Sequence, residues 1–145
     1  MIGVAPGRVV TDNVRKRVSS DGNVRIADPA SDVAKVAVVE RHGKNGNIGR
    51  AFVTGFGLKR GAIASSVGHD SHNICVIGMN DADMALAVNR LKEIRGGFVV
   101  AADNQVLAEL ALPLAGLISV DGFETVTEPL RALRRAARDL GCTLP

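Results

Sequence analysis

The sequence predicts an α+β fold, a mostly antiparallel sheet with two helices packed against it. Three observations carry this expectation. Apolar, β-branched runs follow one another through residues 33–77 with glycine-rich turns between them. An amphipathic segment opens at Asn80 and closes at Gly96-Gly97. A second amphipathic segment extends from Thr125 to Gly141. Strands in a row, one helix, a hairpin and a final helix are the order of an α+β domain rather than of an alternating parallel one.

Taken in order, residues 7–11 (GRVVT) read as a short strand, and the polar stretch 12–29 holds a hairpin-like Asp21-Gly22 turn. Residues 33–40 (VAKVAVVE) are apolar in a way that fits a strand buried on both faces. The turn Gly43-Lys44-Asn45-Gly46-Asn47 leads to a strand over 48–56, and Leu58-Lys59-Arg60-Gly61 turns into a strand over 62–67. Connections this short favour antiparallel neighbours. After the polar group 69–73, Ile74-Cys75-Val76-Ile77 is another buried strand. Asn80 then caps a helix whose first turn holds Asp81 and Asp83, where the helix dipole favours negative charge. Met84, Ala87, Val88, Leu91 and Ile94 form its apolar stripe, facing the sheet. A hairpin of 98–102 and 105–110 turns at Asp103-Asn104, and residues 112–116 (LPLAG) make an irregular apolar turn that caps the core. In the last helix Leu130, Leu133, Ala137 and Leu140 share one face, with Arg131, Arg134, Arg135 and Arg138 on the other.

At 145 residues the chain has the size of one domain, large enough to build a core without metal or disulfide. The net charge of +3 is too small to imply a nucleic-acid or membrane partner. With no Trp, no Tyr and four Phe, base stacking has little to work with. Cys75 and Cys142 lack metal-type spacing and fit reduced thiols. Neither a signal-like leader nor an apolar run near the ~18 residues of a membrane span is present, which leads us to expect a soluble, cytoplasmic protein.

The densest polar cluster is His69, Asp70, Ser71, His72 and Asn73, between two apolar strands. Two imidazoles, a carboxylate, a hydroxyl and an amide suit a metal ion, proton transfer or hydrogen bonding to a polar small molecule. They equally suit a structural turn in which Asp70, Ser71 and Asn73 bond nearby backbone, and the residues alone leave these readings open. A metal is the weakest of them, because no second pair of ligands completes a shell. Arg41-His42-Gly43-Lys44 fits either an anion or plain solvation. Gly55-Phe56-Gly57-Leu58-Lys59-Arg60-Gly61 does not follow the G-x-x-x-x-G-K-[ST] pattern of a phosphate loop, is not followed by a helix, and reads as a turn. Ser65-Ser66 has no nucleophile-elbow context. The arginine face of the last helix reads as solvated.

Longer words of the sequence go further. Val38-Val39-Glu40-Arg41-His42-Gly43, the run from Gly55 through Gly61 into Ala62-Ile63-Ala64-Ser65-Ser66, then His69-Asp70-Ser71-His72-Asn73, and Met84-Ala85-Leu86-Ala87-Val88-Asn89-Arg90-Leu91 closely resemble the C-terminal domain of bacterial adenine deaminase. The resemblance runs from about residue 3 to 145 and is weakest between 12 and 27. It implies a larger enzyme of the amidohydrolase superfamily, with a metal-bearing barrel, a small β-sandwich and this domain, hydrolysing adenine to hypoxanthine and ammonia. Manganese or iron belongs to the barrel in that family. This chain, with three histidines and no H-x-H pair, is expected to hold no cofactor, metal ligand or catalytic residue of its own.

On this resemblance residues 1–145 are a single domain, with 1–11 the tail of the preceding β-sandwich. The domain packs on the barrel and closes its mouth, with His69, Asp70, Ser71, His72 and Asn73 facing the purine. The alternative is a stand-alone purine or small-ligand binding module without catalysis. A surface made to meet a barrel also leads us to expect a homo-oligomer when it is left exposed.

Overall fold

The computed structural model describes residues 1–8, 10–68 and 71–144. Its elements are β1 (Ile2–Gly3), β2 (Asp12–Asn13), β3 (Ser20–Asp21), β4 (Val24–Arg25), β5 (Ala34–Val39), β6 (Ile48–Thr54), β7 (Ala62–Ser65), β8 (Ile74–Gly78), α1 (Asp81–Glu93), β9 (Gly97–Ala102), β10 (Gln105–Ala111) and α2 (Phe123–Asp139). Eight strands form one sheet in the order β10-β9-β7-β8-β5-β6-β1-β2, antiparallel throughout except where β1 lies parallel to β6. β3 and β4 pair separately. The fold is α+β, as the element order implies.

The helices cover opposite faces. Alternate side chains of a strand point to opposite faces, and β9 divides accordingly. Val99 and Ala101 pack with Met84, Ala87 and Leu91 of α1, whereas Val100 and Ala102 pack with Leu133 and Leu140 of the α2 segment. α1 lies over β7, β8 and β9, and α2 over β10 and β9. Ala62, Ala64, Ala87 and Ala101 are at most 1% exposed, so the helix approaches the sheet closely because small residues line both surfaces.

α1 forms as its sequence dictates. The Asn80 side chain accepts from the Asp83 N–H at 2.8 Å, and the helix ends at Ile94, followed by Arg95 and Gly96 at positive φ. Asp83 does more than meet the dipole. Buried among α1, β8 and β9, it accepts from Asn80 Nδ2 at 2.6 Å and from the Asn104 N–H at 3.0 Å, which ties the helix start to the β9–β10 turn. That turn has Asp103 and Asn104 both at positive φ, as a two-residue hairpin requires.

Five expectations need correction. Among the described residues of 7–11 the expected strand does not form. Pro6 and Gly7 (φ 73°) occupy the corners of a turn closed by the Arg8 N–H to the Ala5 carbonyl, and β1 and β2 lie on either side of it. The early hairpin turns one residue later than expected, with Gly22-Asn23 between β3 and β4. The last helix begins at Phe123, two residues early, with Gly122 as a cap that supplies no side-chain hydrogen bond. Finally, β6 and β7 are joined by a short turn yet are not neighbours, because β5 and β8 lie between them. Residues 55–61 cross three strand spacings, about 14 Å, which seven residues cover with ease. The burial of β5 and β8 is also one-sided at one end, since Val38 and Cys75 are exposed where α2 does not reach.

Candidate functional site

The candidate loop joins β7 to β8, at the end of the sheet where β5 stops and β9 begins. His69 and Asp70 lie outside the described residues. Ser71, His72 and Asn73 are described, and the backbone of this segment is held from β5. The Arg41 guanidinium donates through Nε to the His72 carbonyl and through Nη2 to the Ala115 carbonyl at 2.7 Å. His42 Nε2 donates to the Ser71 carbonyl at 2.9 Å. The basic turn and the polar loop, separate features in the sequence, are thus one structure.

Glu40 shapes that turn. Its carboxylate accepts backbone N–H groups from His42, Lys44, Asn45 and Gly46, folding residues 41–46 around one side chain. Desolvation works against the charge, but the four donors outweigh it and hold the Glu40 carboxyl below its ordinary value of 4.5.

Ser66, fully buried after β7, is the second organising residue. Its hydroxyl donates to the Gly116 carbonyl at 2.6 Å and accepts the Gly97 N–H at 2.7 Å. It therefore fastens the turn after β10 to the start of β9. Gly116, at φ 74°, is where the Arg41 guanidinium passes; a Cβ there would stand 2.8 Å from Nη1.

Among the described residues, two side-chain atoms at this end have no partner. His72 Nδ1 and Asn73 Oδ1 are buried and unbonded, and His72 itself has a left-handed backbone at φ 48°. A buried polar atom normally finds a partner, so a ligand or docking surface that supplies one is favoured here. A groove of about 910 Å³ runs alongside, its wall including Arg41, Lys44, Ser66, Lys92 and Arg95. Another, of about 740 Å³, lies between α1 and the uncovered part of β5 and β6, with Phe52, Met84 and Val88 among its apolar lining. Among the described residues, no three His, Cys, Asp or Glu side chains gather to hold a metal ion. No described helix is long and apolar enough to cross a membrane.

Of the sequence-predicted set, the structure places Ser71, His72 and Asn73 together at this end. What the sequence missed is the support: Ser66 looked only like a failed nucleophile, and Gly116 like part of an apolar turn. The serine inside a small-residue strand end was the one available signal.

Comparison with known proteins bears on the same stretch. Residues 8–145 match the family model described as the adenine deaminase C-terminal domain. Adenine deaminase 1 of Rhizobium etli is 58% identical over 144 residues, which are 99% of this chain and 26% of that protein. Adenine deaminase of Methylobacterium nodulans is 60% identical over 145 residues, 100% of this chain and 26% of its own length. The Brucella abortus (strain 2308) adenine deaminase is 59% identical over 143 residues, 99% and 25%. The chain spans about a quarter of these relatives, and by both the family match and these identities it belongs to the adenine deaminase C-terminal domain family.

Proposed function

We propose that this chain works as the C-terminal accessory domain of a cytoplasmic, metal-dependent adenine deaminase, which converts adenine and water to hypoxanthine and ammonia. In this reading residues 1–145 are a single domain, with 1–11 the tail of a preceding β-sandwich. The loop-bearing end packs on the catalytic barrel and closes its mouth. His69, Asp70, Ser71, His72 and Asn73 face the purine.

The observation that supports this is a coincidence at one end of the sheet. The unpartnered His72 Nδ1 and Asn73 Oδ1 sit there. So do large uncovered apolar side chains: Leu114, Ile118 and Val120, between β10 and α2, and Phe123, which opens α2, are 55%, 58%, 72% and 82% exposed. A contiguous apolar surface favours a protein contact. Unsatisfied imidazole and amide atoms favour a ligand with both donors and acceptors, which a purine has. Among the described residues no three His, Cys, Asp or Glu side chains gather to hold a metal ion, and the resemblance puts manganese or iron in the barrel.

The test joins this chain to the first three quarters of the Rhizobium etli relative, replacing that protein's own C-terminal quarter. The joined enzyme should deaminate adenine, while the chain alone, supplied with manganese, iron or zinc, should not. His72→Ala in the joined enzyme should lower kcat/KM by a factor of about 2–10, the loss of one neutral hydrogen bond, with bound metal and Tm unchanged. Activity of the chain alone, silent kinetics in His72→Ala, or loss of metal from it would overturn the proposal. Calorimetry of the chain with adenine checks the stand-alone binding module, which alone predicts heat of binding.

A further inference from the structure

We infer that Arg41 is a positioning residue, fixing His72 in the orientation in which it meets the purine. This rests on the reading that the loop-bearing end faces the purine, and it adds a residue that the loop's own sequence does not contain.

The argument begins with what Arg41 touches. Its side chain bridges two carbonyls far apart in sequence, His72 at a separation of 31 residues and Ala115 at 74. A planar guanidinium with several N–H groups in fixed directions is suited to this, and the ammonium of lysine is not. The anchor side is rigid. The Gly116 carbonyl is held by fully buried Ser66, and Ser66 is held by the Gly97 N–H, so the 112–118 turn is fixed to the sheet independently of the loop. Gly116 also leaves open the space that the guanidinium fills.

Both residues whose carbonyls Arg41 holds have a left-handed backbone, His72 at φ 48° and Ala115 at φ 58°. A non-glycine residue at φ 48° is in the left-handed region, which is disfavoured for histidine and persists only when its surroundings hold it. The Arg41–His72 bond holds it through the carbonyl and takes no part of the ring. That division matters, because Nδ1 of His72 and Oδ1 of Asn73 carry no bond to the described residues. The backbone is committed to the protein and the side-chain atoms remain for something else. A residue serving stability alone has no reason to produce this arrangement.

The experiment is a double-mutant cycle in the joined enzyme. Arg41→Ala and Arg41→Lys should each lower kcat/KM by no more than His72→Ala does, about 2–10-fold, with metal content unchanged, and neither should lower it further once His72→Ala is in place, because Arg41 acts through His72. Millimolar guanidinium, but not equal sodium chloride, should restore Arg41→Ala. Losses that add to those of His72→Ala, or full activity in both Arg41 variants beside an impaired His72→Ala, would overturn the inference while leaving the proposed function standing. A silent His72→Ala sinks the purine-facing reading instead. Arg41 is then judged by nuclear magnetic resonance of the chain alone, where Arg41→Lys should displace the His72 ring signals and leave those of the β9–β10 hairpin in place. Unmoved His72 signals would overturn the assignment.

Discussion

Glu40 shows how one side chain organises a loop. Four N–H donors converge on its carboxylate, so the charged form is favoured in the folded chain and its pKa lies below 4.5. A depressed carboxyl stabilises the turn at pH above its unfolded value and loses that contribution as pH falls through the folded one. The amide resonances of Lys44, Asn45 and Gly46 should therefore titrate together with a midpoint below 4.5. Glu40→Gln should increase their hydrogen exchange at neutral pH. A midpoint at or above the ordinary glutamate value would show that the donors do not favour the charge. Little of this was legible beforehand, since Val38-Val39-Glu40 reads simply as a strand running out. A carboxylate that collects N–H groups from residues two to six positions on is recognisable only when the turn is seen.

At the scale of elements, local pattern worked where local physics decides. α1 lies where Asn80, its acidic first turn and its apolar stripe put it, and the β9–β10 hairpin turns at Asp103-Asn104. The connection from β6 to β7 did not follow. Turn chemistry reports that the chain bends at Gly55 through Gly61 but carries no information on how far it travels before pairing again. What holds the crossover is Asp32, before β5, which accepts from the Thr54 hydroxyl at 3.1 Å, the Gly55 N–H at 2.7 Å and the Gly57 N–H at 2.8 Å. Asp32→Ala leaves these half-buried donors without their acceptor and should cost roughly 2–4 kcal/mol, given that hydrogen bonds to a charged group are individually worth about 1.5–3 kcal/mol and do not simply add. Urea unfolding measures it, and a loss under about 1 kcal/mol would place the restraint elsewhere.

For the whole molecule, the uneven covering of the sheet is the main consequence. α2 and α1 protect opposite faces of one half, and the segment from Leu114 to Phe123 protrudes beside the candidate loop with its apolar side chains uncovered. An isolated chain should bury that surface against itself. We expect concentration-dependent association in light scattering, abolished by Val120→Ser with Phe123→Ser, which remove apolar area without touching the core. A chain that stays monomeric at high concentration, or a double variant that still associates, would show that this end is not the sticky one.

By itself the sequence determined the α+β class, both helices, the late hairpin and the membership of a family, because periodicity, caps and long runs of matching residues are all properties of neighbouring positions. It also marked Ser71, His72 and Asn73. The tertiary structure alone decided which distant groups support them. Arg41 reaches His72 and Ala115 only because β5 pairs with β8 and the turn after β10 folds back over the same end, with Ser66 fastening it to Gly97. Strand order results from burying two faces at once, a balance struck over the whole sheet, so no single segment records it.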